Sequence, residues 1–119
     1  MTDIPPLIAA MRDTLNRGDA TGYLALFAPD AVVDDWGSRY QGLAAIRDWS
    51  QREQIDAKGH LTITRVISDR DGVVVFDTDW KSSFFSGPGR FAVTLKGGKI
   101  VELRISETSG GSPSPLRGR

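Results

Sequence analysis

Cysteine is absent from the 119 residues, which excludes disulfides, thiol nucleophiles and cysteine metal sites. Histidine occurs once, as His60, so the chain cannot assemble a multi-histidine zinc or iron centre and no metal is expected. Neither sign of charge is in excess, with fifteen Lys and Arg against fifteen Asp and Glu. Arg117 and Arg119 stand in an acid-free C-terminal stretch, which leaves the body slightly acidic. Without a basic stripe to neutralise phosphates, nucleic acid is not an expected partner. No run approaches the ~20 apolar residues of a membrane span. The N-terminal MTDIPPLIAAM lacks a basic segment leading into a long apolar one, so it does not read as a secretory leader. These absences set the expectation of a soluble, cytoplasmic domain that does not act on membranes.

What is present is a regular alternation of helix and strand signals. Pro5 and Pro6 suit a first helical turn, where a missing N–H has no intrahelical partner to lose. Leu7, Ile8, Met11 and Leu15 then recur at helical spacing, and Gly18 ends the segment. Asp19 can cap a second, shorter helix carrying Tyr23, Leu26 and Phe27, stopped by Pro29. Ala31 to Asp35 reads as a strand, Trp36-Gly37-Ser38 as a turn, and Tyr40 as part of a short returning strand. Leu43 to Lys58 is a third helix, with Leu43, Ile46, Trp49 and Ser50 on one face and Gly59 at its end.

Strands and turns make up the rest. Leu61–Ser68 and Val73–Lys81 flank the tight turn Asp71-Gly72. The connection SSFFSGPG leads to Arg90–Lys96, and Gly97-Gly98 supports a hairpin into Lys99–Glu107. SGPG opens no helix, so it is a turn signal and not a phosphate loop. No motif requires a cofactor, and none is expected. Three helices followed by a meander give an α+β domain, with the helices segregated to one face of a mainly antiparallel sheet. Residues 109–119, SGGSPSPLRGR, hold one apolar side chain and are expected to form a flexible tail after a domain spanning 1–108.

The order of elements, together with LFAPDAVVDDWGSRYQGLAAIRDW and VTLKGGKIVELRI, resembles the SnoaL-like branch of the nuclear transport factor 2-like superfamily. The resemblance runs from about residue 6 to 107 and implies a cone-like roll in which a strongly curved sheet wraps three helices around a pocket. It also implies a homodimer paired through the outer face of the sheet. Ketosteroid isomerase belongs to the same superfamily and carries a general-base aspartate at the end of its first strand. Matched through FAPDAVVDD, that base falls on Asp35. Strand alternation lets only one of Asp34 and Asp35 face inward. The two donors that such an isomerase places around the developing oxyanion fall on Met11 and near Phe91, neither of which can donate. Loss of one such donor costs on the order of 3 kcal/mol of transition-state stabilisation, so steroid isomerisation is disfavoured.

The candidate catalytic set is therefore Asp35 as acid or base, assisted by His60 or Tyr40, with Trp36, Trp80, Phe76, Phe91 and Met11 as apolar lining. Each has a plainer role beside it. Asp35 could cap the Trp36-Gly37 turn, His60 could be an exposed linker residue, and Tyr40 could be core. Asp77 and Asp79 share one strand face, opposite Val74, Phe76, Thr78 and Trp80, and either meet solvent or line the pocket. The functional expectation is a cofactor-independent isomerase, cyclase or (de)hydratase acting on a compact apolar or cyclic small molecule. The alternative is a non-catalytic ligand-binding or dimerisation domain of the same fold.

Overall fold

The structure is a computed structural model and describes residues 4–83 and 85–107. The sequence 109–119, expected as a tail, lies outside the described residues. Helix α1 (Pro6–Arg17) opens with Pro at its first position and closes on Gly18, whose φ of 71° is the left-handed cap conformation that glycine adopts without penalty. Helix α2 (Ala20–Leu24) starts at Asp19, whose carboxylate accepts the Gly22 N–H at 2.9 Å. It is shorter than the sequence suggests. Phe27 already belongs to strand β1 (Phe27–Asp35), and Pro29 lies inside that strand. The strand tolerates proline there because its pairing slips between Phe27 and Val32, where a missing N–H leaves no ladder bond unmade.

A two-residue turn at Trp36-Gly37 leads into β2 (Ser38–Gln41). Helix α3 (Leu43–Ser50) then continues as a π-helical turn, Gln51–Ile55, so the expected single helix to Lys58 changes its hydrogen-bond spacing midway. Strands β3 (His60–Arg70), β4 (Val73–Lys81), β5 (Gly87–Lys96) and β6 (Lys99–Ser106) follow as the expected meander. β5 begins three residues earlier than expected, taking Gly87, Pro88 and Gly89 into the strand. The sheet order is β2-β1-β6-β5-β4-β3, antiparallel except for the parallel β1–β6 pair. The architecture is the expected α+β one, with the helices on one face of a curved sheet that does not close.

Register defines the two faces. Val33 stands beside Leu103, Leu103 beside Val93, and Val93 beside Val74. All four are buried, and they pack with Ile8, Met11 and Leu15 of α1 and Ile46 and Trp49 of α3. One pleat further on, Asp35 pairs with Ile105, Ile105 with Phe91, and Phe91 with Phe76. Asp35 thus lies on the helix-facing side, two residues beyond a fully buried valine. The backbone of edge strand β3 is tied to α1 through Asn16, which donates to Leu61 O at 2.9 Å and accepts from Leu61 N at 2.8 Å. The opposite face carries Asp77 and Arg90, an adjacent cross-strand pair joined at 2.7 and 3.1 Å. Of the two placements open for Asp77, the structure gives the face away from the helices.

Candidate functional site

The concave face is sealed where Leu, Val and Ile fill it, and open where two inward positions of β5 carry no side chain. Counting back from the buried Phe91, alternation places Gly89 and then Gly87 on the same face. Gly89 lies opposite Thr78, and Gly87 opposite Trp80. The result is a cavity of about 90 Å³, walled by Trp36, Trp49, Trp80, Phe85 and Phe91, with Asp35, Glu53, Gln54, Thr78 and Ser82 as its polar groups. A methyl group at Gly89 would make only ordinary contacts, 3.5 Å from Ser106 O and from Thr78 Oγ1. At Gly59 a methyl group would overlap the Trp80 ring, and the bare backbone is what allows that indole to lie where it does.

The two neighbouring aspartates at the end of β1 have different tasks. Asp34 Oδ1 accepts the Gly37 N–H at 2.8 Å and caps the turn, the role that sequence reasoning had offered to Asp35. Asp35 instead turns to α3, where Oδ2 accepts the Trp49 Nε1–H at 3.0 Å. Trp49 is almost completely buried, so it holds the carboxylate from a fixed position. Trp36, between the aspartates and Gly37, has a φ of 55°, and Gly37 has 96°. This primed two-residue turn matches strand twist but strains any residue with a Cβ. The strain places a bulky indole beside the cavity.

Tyr23 of α2 is 1% exposed. Burial raises its pKa above the ordinary value, the negative charge of Asp35 raises it further, and a hydrogen bond from the Gln54 side chain partly offsets both. A neutral phenol, an amide and a carboxylate therefore stand as neighbours under the cavity. The rim is built from Ser82, which donates to Phe85 O at 2.9 Å and accepts from Phe85 N at 3.1 Å, and from Ser83, whose N–H meets Ala57 O at 2.9 Å.

Of the residues expected from sequence, Asp35, Trp36, Trp80 and Phe91 come together at the cavity. Phe76 packs behind Phe91, with ring centroids 5.4 Å apart, and Met11 lies in the core on the buried face of α1; neither reaches the lining. His60 is exposed at the start of β3, paired with Lys81, and Tyr40 stacks on Trp49 at 5.9 Å, outside the lining. Sequence reasoning missed Gln54, Thr78, Gly87 and Gly89. The glycines had a readable signal, because strand alternation counted back from Phe91 puts both on the inner face. Gln54 had one as well, since it stands four residues after Ser50 on the inward face of the expected third helix. Among the described residues no group of three or more His, Asp or Glu is arranged to hold a metal ion, and no helix is long and apolar enough to cross a membrane.

A family model for the SnoaL-like domain matches residues 8–103. No curated protein sequence matches the chain. Among solved structures, a Sinorhizobium meliloti protein named for a presumed polyketide cyclase activity superposes with a TM-score of 0.80 at 26% identity, over 87% of this chain and 96% of that one. The Δ5-3-ketosteroid isomerase of a Mycobacterium species superposes at 0.76 with 21% identity, over 88% and 95% of the two chains. A Mycobacterium tuberculosis protein in complex with estradiol-17β-hemisuccinate superposes at 0.78 with 18% identity, over 87% and 92%.

Proposed function

The chain belongs to the SnoaL-like domain family, and on that premise we propose that it binds a compact small molecule in the cavity beside Asp35 and acts on it by proton transfer. The observation that carries the reading is a carboxylate fixed by a buried indole at the wall of an aromatic-lined cavity. The reaction class is cofactor-independent isomerisation, cyclisation or (de)hydration, with Asp35 as general acid or base. A structural relative binds a steroid ester. The cavity of about 90 Å³ lies well below the ~300 Å³ at which pockets begin to hold drug-sized ligands. A ligand of one small ring fits this chain better than a four-ring one. Neither Met11 nor Phe91 supplies an oxyanion donor, which also argues against a ketosteroid substrate.

The homodimer is part of the same proposal. Val32, Val75 and Ala92 are half-buried and lie on the helix-free face, which also carries the Asp77–Arg90 pair, and would be covered by a second copy. A cytoplasmic location also belongs to it. In the alternative reading the cavity binds without catalysis and Asp35 only orients the ligand.

Thermal-shift screening with small cyclic ketones, epoxides, lactones and amines tests this on wild type, Asp35→Asn and Gly89→Val. Gly89→Val fills the cavity at an unstrained strand position and is expected to leave Tm unchanged or raise it. At least one compound should stabilise wild type and none should stabilise Gly89→Val. Equal shifts in both proteins would place binding elsewhere and end the reading. Once a substrate is found, undiminished turnover in Asp35→Asn would favour the non-catalytic alternative.

A further inference from the structure

Gln54 is 4% exposed, lines the cavity, and its Oε1 has no hydrogen-bond partner. A buried amide oxygen left without a donor is unfavourable and rare in folded proteins. The residue belongs to the π-helical turn Gln51–Ile55, a form that recurs at functional sites. It is held from two sides. Its backbone carbonyl accepts the Gly59 N–H at 2.8 Å, and the nitrogen end of its amide is already used. That hydrogen bond lowers the Tyr23 pKa, which is the action of an N–H donor on the phenol oxygen. The oxygen is therefore the end left for a ligand.

Other polar groups of the lining spend their hydrogens within the protein. Thr78 directs its hydroxyl hydrogen to Gly89 O at 3.3 Å, Ser82 to Phe85 O at 2.9 Å, and Trp49 its indole N–H to Asp35 at 3.0 Å. The two carboxylates have partners as well. Asp35 has interactions within the protein beyond its bond from Trp49, and Glu53 is paired with Arg52 at 3.1 Å. With each carboxylate already engaged, a cation would have to leave water for a largely aromatic cavity, which is costly. A neutral donor loses far less hydration and answers the amide oxygen. Three indoles and two phenyl rings form the walls, and such faces suit a flat ring.

We infer that the cavity selects a compact, neutral, flat ring bearing an N–H or O–H, with Gln54 Oε1 accepting that hydrogen. This rests on the cavity reading above and narrows its substrate class. A ring with a donor satisfies the orphan oxygen, whereas a ring of the same shape without one leaves it buried and unpaired. Sites built to meet a ligand's N–H or O–H reject the analogue lacking it for this reason. A ketone, epoxide or ether of the same size brings only another acceptor. Gln54 is thus the specificity-determining residue of the cavity.

Three five-membered-ring probes separate donor from shape and charge by calorimetry or NMR titration: pyrrole, furan and pyrrolidinium. Pyrrole and furan are flat and nearly isosteric, and only pyrrole carries an N–H. Wild type should bind pyrrole about tenfold to a hundredfold more tightly than furan, and pyrrolidinium no more tightly than pyrrole. Gln54→Met, which keeps the chain length and removes the amide, should bring pyrrole to within about threefold of furan. The wild-type ranking needs no variant, so a folding defect in Gln54→Met does not remove the test. Furan bound as tightly as pyrrole, or a preference for pyrrole that persists in a folded Gln54→Met, overturns the inference while the cavity reading stands. Pyrrolidinium bound more tightly than pyrrole overturns the neutral class. Pyrrole binding that survives Gly89→Val overturns the inference by placing the ring outside the cavity. If none of the three binds wild type the inference falls, and the cavity reading falls with it only if the wider screen of cyclic compounds is also empty.

Discussion

Asp77 and Asp35 sit on opposite faces of one sheet, and each is partly removed from water. Asp77 faces away from the helices and meets a guanidinium through two bonds, Arg90 Nε to Oδ1 at 2.7 Å and Nη2 to Oδ2 at 3.1 Å, with side chains only 17% and 20% exposed. The fork geometry matches both oxygens and balances the charge. Asp35, on the helix side, receives a neutral N–H from Trp49. The donor fixes the carboxylate's direction, and Asp35 is one of the causes that raise the pKa of the buried Tyr23. The first aspartate is completed by the fold. The second is oriented by the fold at the wall of a cavity, where a binding or proton-transferring group would stand.

Removing each partner should therefore have different consequences. The largest effect is expected at Trp49, which is buried, supplies the Asp35 donor and walls the cavity. Trp49→Ala should lower stability by about 3–5 kcal/mol through lost packing. Trp49→Phe keeps most of the ring and isolates the hydrogen bond, at about 1–3 kcal/mol. Urea unfolding of Trp49→Phe in wild-type and Asp35→Asn backgrounds decides the matter. The loss should shrink in the Asn background, where no charged oxygen is left without its donor. An equal loss in both would mean that the indole only fills space.

Breaking the outer pair comes next. Arg90→Ala should cost about 1–3 kcal/mol, above the ~0–1 kcal/mol of an exposed ion pair, because the pair is largely covered yet not fully buried. Asp77→Ala in the Arg90→Ala background should recover part of the loss. Asp35→Asn, by contrast, should change stability by less than about 1 kcal/mol while removing ligand response, the pattern of a group kept for function. If Asp35→Asn destabilises as much as Arg90→Ala, the contrast between the two faces fails.

Sequence alone made much of this contrast legible. Alternation along Val73–Lys81 separated Asp77 from Phe76, and the two-residue step from Val33 to Asp35 put the carboxylate on the buried face once the core was known. The helix order and the meander followed from periodicity and from Gly18, Gly59 and Gly97-Gly98. What periodicity could not supply was space. A pattern reports side chains that are present, and this cavity arises from two that are missing, at Gly87 and Gly89. The same glycines, next to Pro88, have the composition of a turn, so local chemistry pointed one way and tertiary pairing the other. Gln54, four residues after the inward Ser50, was legible by the same count, but an amide in a run of polar side chains gives no apolar signal to mark it as buried.

The smallest expected effect is the most direct reading of the charge at Asp35. Tyr23 has a folded-state pKa above its ordinary value of ~10. Between those two values the unfolded chain has lost its phenol proton and the folded chain holds it, so fewer protons are bound on unfolding. Stability is then fully present below pH ~10 and falls as pH rises toward the folded-state value, by at most ~1.4 kcal/mol per pH unit from this group. Chemical denaturation from neutral pH upward should show the decline in wild type and a shallower one in Tyr23→Phe. Spectrophotometric titration of Tyr40→Phe, in which Tyr23 is the sole tyrosine, should show phenolate appearing only as the protein unfolds. Adding Asp35→Asn should bring ionisation to lower pH, because one of the causes that raise the Tyr23 pKa is gone, whereas Asp77→Asn on the far face should not. A Tyr23 titration indifferent to Asp35→Asn would mean that Asp35 does not act on the phenol, and the distinction between the two aspartates would lose its electrostatic basis.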